Sequence, residues 1–213
     1  MSTMGRVLIL IPCSGSKKNG GIPEYNTKNS ILNHLTDASK GHLLSLRRRL
    51  FEYFSTAFGP ELGCSNDGTI NYVEAYERYS GAHSQIYRQI SSGSWEKLRK
   101  SQDLDLVIVS ALYGFVRFDE SIQNYNITMR DKIEYQALKT WWRNNGLCAI
   151  LKDYISKNGI SEVHNVLSND YDDALFSCFI DVRVKYENHN FSEYKSGSNA
   201  HRGKWVDNFI QNF

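Results

Sequence analysis

The sequence predicts an α/β protein: a single domain over residues 1–213 with a mainly parallel or mixed central sheet flanked by helices. Residues 7–12 (VLILIP) and 105–111 (DLVIVSA) are continuous apolar runs, which are typical of strands buried on both faces of a parallel sheet. Between them, leucine and phenylalanine recur at three- and four-residue steps from Leu43 to Phe58, as in an amphipathic helix. Strands that alternate with helices indicate a layered architecture.

Weaker elements continue this alternation along the chain. Three segments have strand character: residues 69–76, 162–167 and 182–186, the last with the alternating polarity of an edge strand. Residues 133–155 predict a helix that breaks at Asn145-Gly146, where a left-handed conformation is accessible. A polar loop at residues 195–202 then precedes a closing amphipathic helix at residues 205–213.

Length and composition limit the function classes. The chain of 213 residues is long enough for one well-buried core. Its 25 basic and 23 acidic residues give a net charge of +2. Any basic surface must therefore come from local clustering of basic residues and not from an overall excess of positive charge. The apolar run at residues 7–12 is too short for a signal peptide or a membrane span, and we expect a cytoplasmic protein without membrane contact.

The cysteines and histidines show no metal-binding spacing. Cys13, Cys64, Cys148 and Cys178 are far apart and form no CxxC pair, so we expect unpaired thiols in a reducing cytosol and no structural zinc site. The histidines show neither HxxxH nor HxH spacing, and neither a metal nor another cofactor is expected. They are His34, His42, His83, His164, His189 and His201.

The first chemical motif directly follows the first strand. It contains small residues that expose backbone amides, two hydroxyl groups and two ammonium groups, which together suit an anion at the carboxyl end of a parallel strand. The candidate binding residues are Cys13, Ser14, Ser16, Lys17 and Lys18. The glycine spacing of a P-loop is absent. The alternative interpretation is a turn with solvated lysines and a small buried cysteine.

The second motif begins where residues 105–111 end. Loops held by a rigid strand end are common positions for catalytic residues. Glu120 and Asn126 are the catalytic candidates, with Glu120 as a general acid or base. The binding candidates are Ser110, Tyr113, Gly114, Arg117 and Tyr125, and the guanidinium of Arg117 suits a phosphate or an opposing carboxylate. The alternative is a structural pair between Arg117 and Glu120.

Two further motifs complete the predicted site. Ser80 stands before a predicted helix, where it caps that helix or helps to bind an anion. Ser168 and Asn169 follow the third strand, with helix capping as the alternative. If the strands are parallel neighbours, the loops near Ser14, Tyr113 and Ser168 meet at one edge of the sheet and form a shared cationic cavity.

Residues 110–129 resemble the YaaA peroxide stress protein family, whose loop runs approximately L-Y-G-L-L-R-P-x-D-x-I-x-P-Y-x-x-x-M. The positions that match in register are Leu112, Tyr113, Gly114, Arg117, Ile122, Tyr125 and Met129. Weaker similarity covers nearly the whole chain in order, at residues 79–87, 166–174 and 200–204. The chain departs from the family pattern at Glu120, Asn124 and Asn126, and its start (IPCSGSKK) is closer to distant, uncharacterised relatives.

The resemblance implies DNA binding in a positively charged cleft and a role in oxidative stress or DNA protection. It also implies chemistry on modified bases, because related domains occur in enzymes that break or exchange a glycosidic bond. The leading hypothesis is therefore a DNA-binding, glycosylase-like enzyme in which Lys17, Lys18, Arg117 and Arg202 hold phosphates. The alternatives are a non-catalytic nucleic-acid-binding stress protein and an enzyme that acts on free nucleotides or nucleosides.

Overall fold

A computed structural model describes residues 5–179, 183–194 and 196–213. The strands are β1 (Arg6–Pro12), β2 (Tyr72–Glu74), β3 (Leu104–Ser110), β4 (Gly114–Arg117), β5 (Ser121–Gln123), β6 (Lys132–Ile133), β7 (Gln136–Ala137), β8 (Ile160–Asn165) and β9 (Lys185–Asn188). The helices are α1 (Asp37–Tyr53), α2 (Ala75–Arg78), α3 (Ser92–Lys100), α4 (Leu138–Asn144), α5 (Leu147–Lys157), α6 (Asn169–Asp172) and α7 (Ser198–Asn212). Short 3-10 turns lie at Ile31–His34, Pro60–Leu62, Tyr87–Gln89 and Asp173–Leu175.

A five-stranded sheet with the order β4-β3-β1-β8-β9 forms the centre of the fold. β1 pairs in parallel with both β3 and β8, β8 pairs in parallel with β9, and β4 alone among these runs antiparallel, beside β3. The predicted α/β architecture with a mainly parallel sheet is therefore confirmed. β1 and β3 are buried along almost their whole length, which explains why both appear in the sequence as continuous apolar runs.

Helices cover both faces of this sheet. In the strand register Leu8 lies beside Asp105, and Ile9 lies beside His164, so Asp105 and His164 point to opposite faces. Tyr154 of α5 hydrogen-bonds to Asp105, and α5 packs on α1. The aromatic rings of α7 pack on His164, and α7 contacts α3.

Several element boundaries differ from the sequence-based expectation. The helix expected over residues 133–155 begins only at Leu138, because residues 132–137 form a small hairpin, although its break after Asn144 is confirmed. The closing helix begins at Ser198, within the segment that was expected to be a polar loop. Within the described residues the edge strand begins at Lys185. Val182, where it was expected to begin, lies outside the described residues, as does Lys195.

The expectation of four unpaired cysteines is wrong. Cys148, in the first turn of α5, forms a disulfide with Cys178, and their Cα atoms are 5.3 Å apart. Cys13 and Cys64 are free thiols. The two cysteines are 30 residues apart in the sequence, and this spacing does not indicate a pair. They meet only because the turn that carries Cys178 folds back onto α5.

Within the described residues, no helix combines the length and the apolar character needed to cross a membrane.

Candidate functional site

The sheet topology brings three of the predicted loops to one edge. β1 lies between β3 and β8, and all three strands point the same way, so the loops that follow Pro12, Ser110 and Asn165 leave the sheet on the same side. In open parallel sheets this carboxyl edge is the usual position of a ligand site. The expectation that these strands are parallel neighbours is confirmed.

A cavity of about 440 Å³ opens at this edge, within the range that small-molecule sites occupy. The residues that line it come from four distant parts of the chain: Pro12, Cys13, Ser14, Gly15, Ser16, His83, Ser84, Gln85, Ile86, Ser168, Tyr171 and Asn199. Of these residues, the loop after β1 and Ser168 were predicted from the sequence. Residues 83–86 were not, although they lie beside the motif at Ser80, and neither were Tyr171 and Asn199.

The loop after β1 is held open by its own hydroxyl groups. The Ser14 Oγ accepts a hydrogen bond from the Ser16 amide at 3.2 Å, and the Ser16 Oγ accepts one from the His83 amide at 3.0 Å. Among the described residues, the backbone amides of Ser14, Gly15 and Lys17 have no acceptor. Successive free amides of this kind form a concave binding surface for an anion.

One side of the cavity is formed by a thiol and a phenol. The Cys13 Sγ and the Tyr171 hydroxyl are 3.0 Å apart, and Cys13 is buried. Burial, together with the nearby Cys13, raises the pKa of the Tyr171 hydroxyl above its ordinary value, so this group stays protonated at neutral pH. It is available as a hydrogen-bond donor to the sulfur or to a ligand.

Ser84 is a lining residue with an unmade hydrogen bond. It is only 4% exposed, and its hydroxyl oxygen has no partner among the described residues. Burying a hydroxyl group without a partner costs about 1–3 kcal/mol. A ligand that supplies the missing partner recovers part of this cost, which makes Ser84 the strongest sign of a bound group in the cavity.

Three cations around the cavity have no carboxylate partner within the described ranges. Arg88 donates to the Ala82 carbonyl, beside His83, and Arg202 donates to the side chain of Asn199. The Lys17 ammonium lies 4.1 Å from the centre of the Tyr125 ring. Burial lowers the pKa of Lys17 below its ordinary value. Since no carboxylate lines the cavity either, its surroundings favour an anionic ligand.

The ring of Tyr125 packs against the Lys17 ammonium and is itself held in place by hydrogen bonds. Its hydroxyl lies 2.7 Å from the Tyr79 hydroxyl and 2.8 Å from the Ser110 Oγ, and all three residues are buried. The predicted binding residues Ser110 and Tyr125 therefore form a hydrogen-bonded layer beneath the loop after β1. Neither lines the cavity.

The other residues of the second motif are placed in the core. Tyr113 is fully buried, and its hydroxyl contacts Glu61, so the loop near Tyr113 does not reach the cavity that Ser14 and Ser168 share. Gly114, with a φ of 72°, makes the sharp turn between β3 and β4. Its missing side chain also leaves room for Trp142, since a Cβ there would lie 2.8 Å from that indole.

The alternative interpretation, an ion pair between Arg117 and Glu120, is wrong, because each side chain has other charged partners. The Arg117 guanidinium pairs with Asp105 and Asp119, and although burial opposes the charge, these carboxylates raise the pKa of Arg117 above its ordinary value. Glu120 is fully buried and pairs with Arg47 of α1. Burial raises the pKa of the Glu120 carboxyl above its ordinary value, and the Arg47 guanidinium offsets part of that rise. Neither side chain lines the cavity.

Of the remaining candidates, Ser168 lines the cavity, whereas Lys18, Ser80, Asn126 and Asn169 do not. Lys18 forms an ion pair with Glu77, and Asn126 is exposed on the loop beyond β5. Ser80 donates to the Glu77 carbonyl at the end of α2, which corrects its expected place before a helix. Asn169 is exposed and begins α6, whereas Ser168 precedes that helix without capping it through its side chain.

A larger cavity of about 640 Å³ lies beside β2, away from these strand ends. It is lined by Glu24, Glu74 and Glu77, with Lys28 as the basic residue. Carboxylates repel an anionic ligand, so its greater volume does not make it the better site for an anion. Among the described residues, the group that could hold a metal ion is His164, Glu187 and His189, outside both cavities.

A glycine in α7 fixes the wall of the cavity at Ile86. A Cβ at Gly203 would lie 2.2 Å from the Ile86 carbonyl oxygen and 2.8 Å from the Gln89 Cβ. We expect Gly203→Ala to lower the free energy of unfolding by about 1–3 kcal/mol, because the helix must move away from the backbone at Ile86. Urea denaturation measures this change. The control is Gly41→Ala in α1, where no atom lies within 4 Å, and it is expected to be neutral or stabilising.

A family model described as "Peroxide stress protein YaaA" matches residues 9–212, nearly the whole chain. It spans every segment that lines the cavity at the carboxyl edge of the sheet. No curated protein matches the chain.

Proposed function

This chain belongs to the YaaA peroxide stress protein family, and on that basis we propose that it binds DNA and holds one nucleotide unit of it in the cavity beside Ser84. The observation that carries the proposal is the Ser84 hydroxyl, which has no hydrogen-bond partner in the part of the chain that the structure describes, in a cavity to which that part contributes no carboxylate. The free amides after β1 provide a place for a phosphate, and the neutral hydroxyl, amide and phenol groups of the lining suit a base or a sugar.

The net charge of +2 is compatible with this function because the charges are unevenly paired. Lys17, Arg88 and Arg202 surround the cavity without carboxylate partners among the described residues. Each cation that contacts a phosphate releases counterions when DNA binds, so the affinity should fall as the salt concentration rises. This local cluster of cations therefore provides the positive charge that the overall composition lacks.

The test of phosphate contact is the salt dependence of binding to a short fluorescent DNA. We expect Arg88→Gln to weaken binding and to reduce the slope of log affinity against log salt by about 1. The matched control is Lys28→Gln, which removes the same charge beside the carboxylate-lined cavity and is expected to leave the slope unchanged. Equal slopes for Arg88→Gln and the unchanged protein would contradict the proposal.

The test of the cavity itself is to fill it. Ser14→Trp places an indole in the lining, and it is expected to reduce the affinity for DNA while the protein remains folded. Ser65→Trp, at an exposed position outside that lining, is the control for the added indole. If both variants bind DNA equally well, the nucleic acid lies elsewhere on the molecule.

A base-modifying enzyme is the second candidate function. Hydrolysis of a glycosidic bond is commonly assisted by a carboxylate, and the predicted acid Glu120 lies in the core, paired with Arg47. The cavity instead offers the Cys13 thiol beside the Tyr171 hydroxyl, which favours this candidate only if the thiol acts as the nucleophile. Mass spectrometry of DNA after incubation separates the two functions, because simple binding leaves every base and sugar unchanged.

An enzyme on free nucleotides is the remaining alternative. It would use the same loop after β1 for the phosphate of a mononucleotide. Titration with mononucleotides and with duplex and single-stranded DNA distinguishes it, because tight binding of the mononucleotide together with weak binding of both DNA forms would replace our proposal.

A further inference from the structure

The parallel pairing of β8 and β9 brings two histidines and a glutamate together at the outer side of the sheet. His164 lies directly opposite Glu187 in the strand register, and His189 follows two residues after Glu187. One potential ligand atom from each of the three residues lies within 4.8 Å of the other two. None of the three lines the cavity assigned to the nucleotide, so this cluster is independent of the proposed function.

The three donor atoms have separations close to those in a tetrahedral metal site. The His164 Nδ1 lies 2.9 Å from the His189 Nε2 and 3.5 Å from the Glu187 Oε2, and the last two atoms are 4.0 Å apart. Donors at zinc bond lengths and tetrahedral angles are about 3.3 Å apart. A hydrogen bond between the imidazoles explains the shortest separation, but it does not explain a carboxylate oxygen directed at the same nitrogen.

Neighbouring charges orient these donors. The Glu162 Oε1 lies 2.9 Å from the His164 Nε2, the ring nitrogen that faces away from the cluster, although the angle between them does not complete a hydrogen bond. A carboxylate at this position is the usual outer partner of a metal-binding histidine, because it fixes the tautomer that leaves the inner nitrogen free to coordinate. The Lys185 ammonium contacts the Glu187 Oε1, which leaves the Oε2 facing the imidazoles.

The surroundings leave one open side. Trp205 of α7 packs on His189 with ring centres 4.0 Å apart, and Phe209 packs on His164 at 4.5 Å, so aromatic rings close the inner side. The side chains of His189 and Glu187 are 21% and 39% exposed. Solvent therefore reaches the cluster from the outside, where a water molecule can complete the coordination of a bound ion.

We infer that His164, Glu187 and His189 form a binding site for a borderline divalent metal ion of the Zn²⁺ class, with Glu162 as the positioning residue. Two imidazole nitrogens and one carboxylate oxygen favour such ions over Mg²⁺ and Ca²⁺, which prefer sites made of oxygen atoms alone. Three protein ligands leave a fourth position for water or for another ligand.

The test is calorimetric titration of chelator-treated protein with ZnCl₂, using Cys64→Ser as the background to remove an accessible thiol. We expect one Zn²⁺ per chain and no binding of Mg²⁺. His189→Ala and Glu187→Gln are expected to weaken Zn²⁺ binding at least tenfold, and Glu162→Gln to weaken it about 10- to 100-fold as an outer partner. His42→Ala and Glu193→Gln, at exposed positions outside the cluster, are the matched controls.

Spectroscopy locates the ion within the protein. Binding is expected to change the fluorescence of Trp205, and Trp205→Phe should abolish that change while Zn²⁺ still binds. Co²⁺ in place of Zn²⁺ should show the visible absorption of a tetrahedral site without a thiolate band. Equal Zn²⁺ affinity in His189→Ala and the background protein, or a thiolate band, would overturn the assignment and leave the histidines as a hydrogen-bonded pair.

Discussion

Arg47→Met is expected to lower the free energy of unfolding by about 3–5 kcal/mol, the usual result of removing one partner from a buried ion pair. Arg47 and Glu120 are both fully buried, and the Arg47 Nη1 lies 3.4 Å from the Glu120 Oε1. The same guanidinium donates to the Tyr113 carbonyl at 3.0 Å and to the Phe115 carbonyl at 2.6 Å. The variant therefore removes the positive charge that faces the buried Glu120 carboxylate, together with two hydrogen bonds to backbone carbonyl groups. The carboxylate keeps its neutral donors, the Ile31 and Arg117 amides and the Ser30 hydroxyl, which do not replace the lost charge. Urea denaturation followed by circular dichroism measures the loss.

Two further variants test whether the loss in Arg47→Met comes from the buried ion pair. Arg49→Met removes the next-but-one arginine of α1, whose partner Glu134 is exposed, and it should cost less than about 1 kcal/mol. The double variant Arg47→Met/Glu120→Leu should recover part of the loss, because the buried carboxylate is removed as well. A loss below 1 kcal/mol in Arg47→Met would show that the ion pair does not anchor α1 to the turn after β4.

Reduction of the disulfide between Cys148 and Cys178 is expected to lower the free energy of unfolding by about 2–4 kcal/mol. The bond closes a loop with a sequence separation of 30 residues, and its loss gives the unfolded chain more conformations. The measurement is urea denaturation of the oxidised protein with and without a thiol reductant. Cys178→Ser should reproduce the reduced value under both conditions.

Cys64→Ser is the control for this experiment, since Cys64 is a free thiol. It should leave the difference between the oxidised and reduced midpoints unchanged. Identical midpoints in the unchanged protein, with and without reductant, would mean that the bond does not constrain the unfolded chain.

The sequence allowed the centre of the fold to be predicted because its signals are local. Residues 7–12 and 106–109 are apolar at every position because the two strands are buried on both faces. The break between α4 and α5 was likewise predictable from Gly146, which adopts a φ of 84°. Arg47 also carried a usable signal, because it lies four residues after Leu43 and three before Leu50, on the apolar stripe of its helix.

The partners of these residues could not be predicted, because they depend on long-range packing. Glu120 and Arg47 are 73 residues apart in the chain. The loop that resembles the YaaA family therefore pointed to Glu120 as a candidate, but it did not show that this side chain is buried against Arg47. His164 and His189 become neighbours only through the pairing of β8 with β9, and a search for histidines at short spacing cannot detect that. The cavity was predicted in position, at the ends of β1 and β8, but not in composition, because residues 83–86 and Asn199 reach it from other parts of the fold.

The scattered origin of the cavity wall makes occupancy a probe of global folding. Its wall joins the end of β1, the segment at residues 83–86, the turn at Ser168 and the first turn of α7. No fragment of the chain that lacks one of these parts can form the complete wall. A molecule that binds there binds only the whole native state, so it stabilises that state against global unfolding. We therefore expect it to slow amide hydrogen exchange in the most deeply buried strands as well as at the mouth of the cavity.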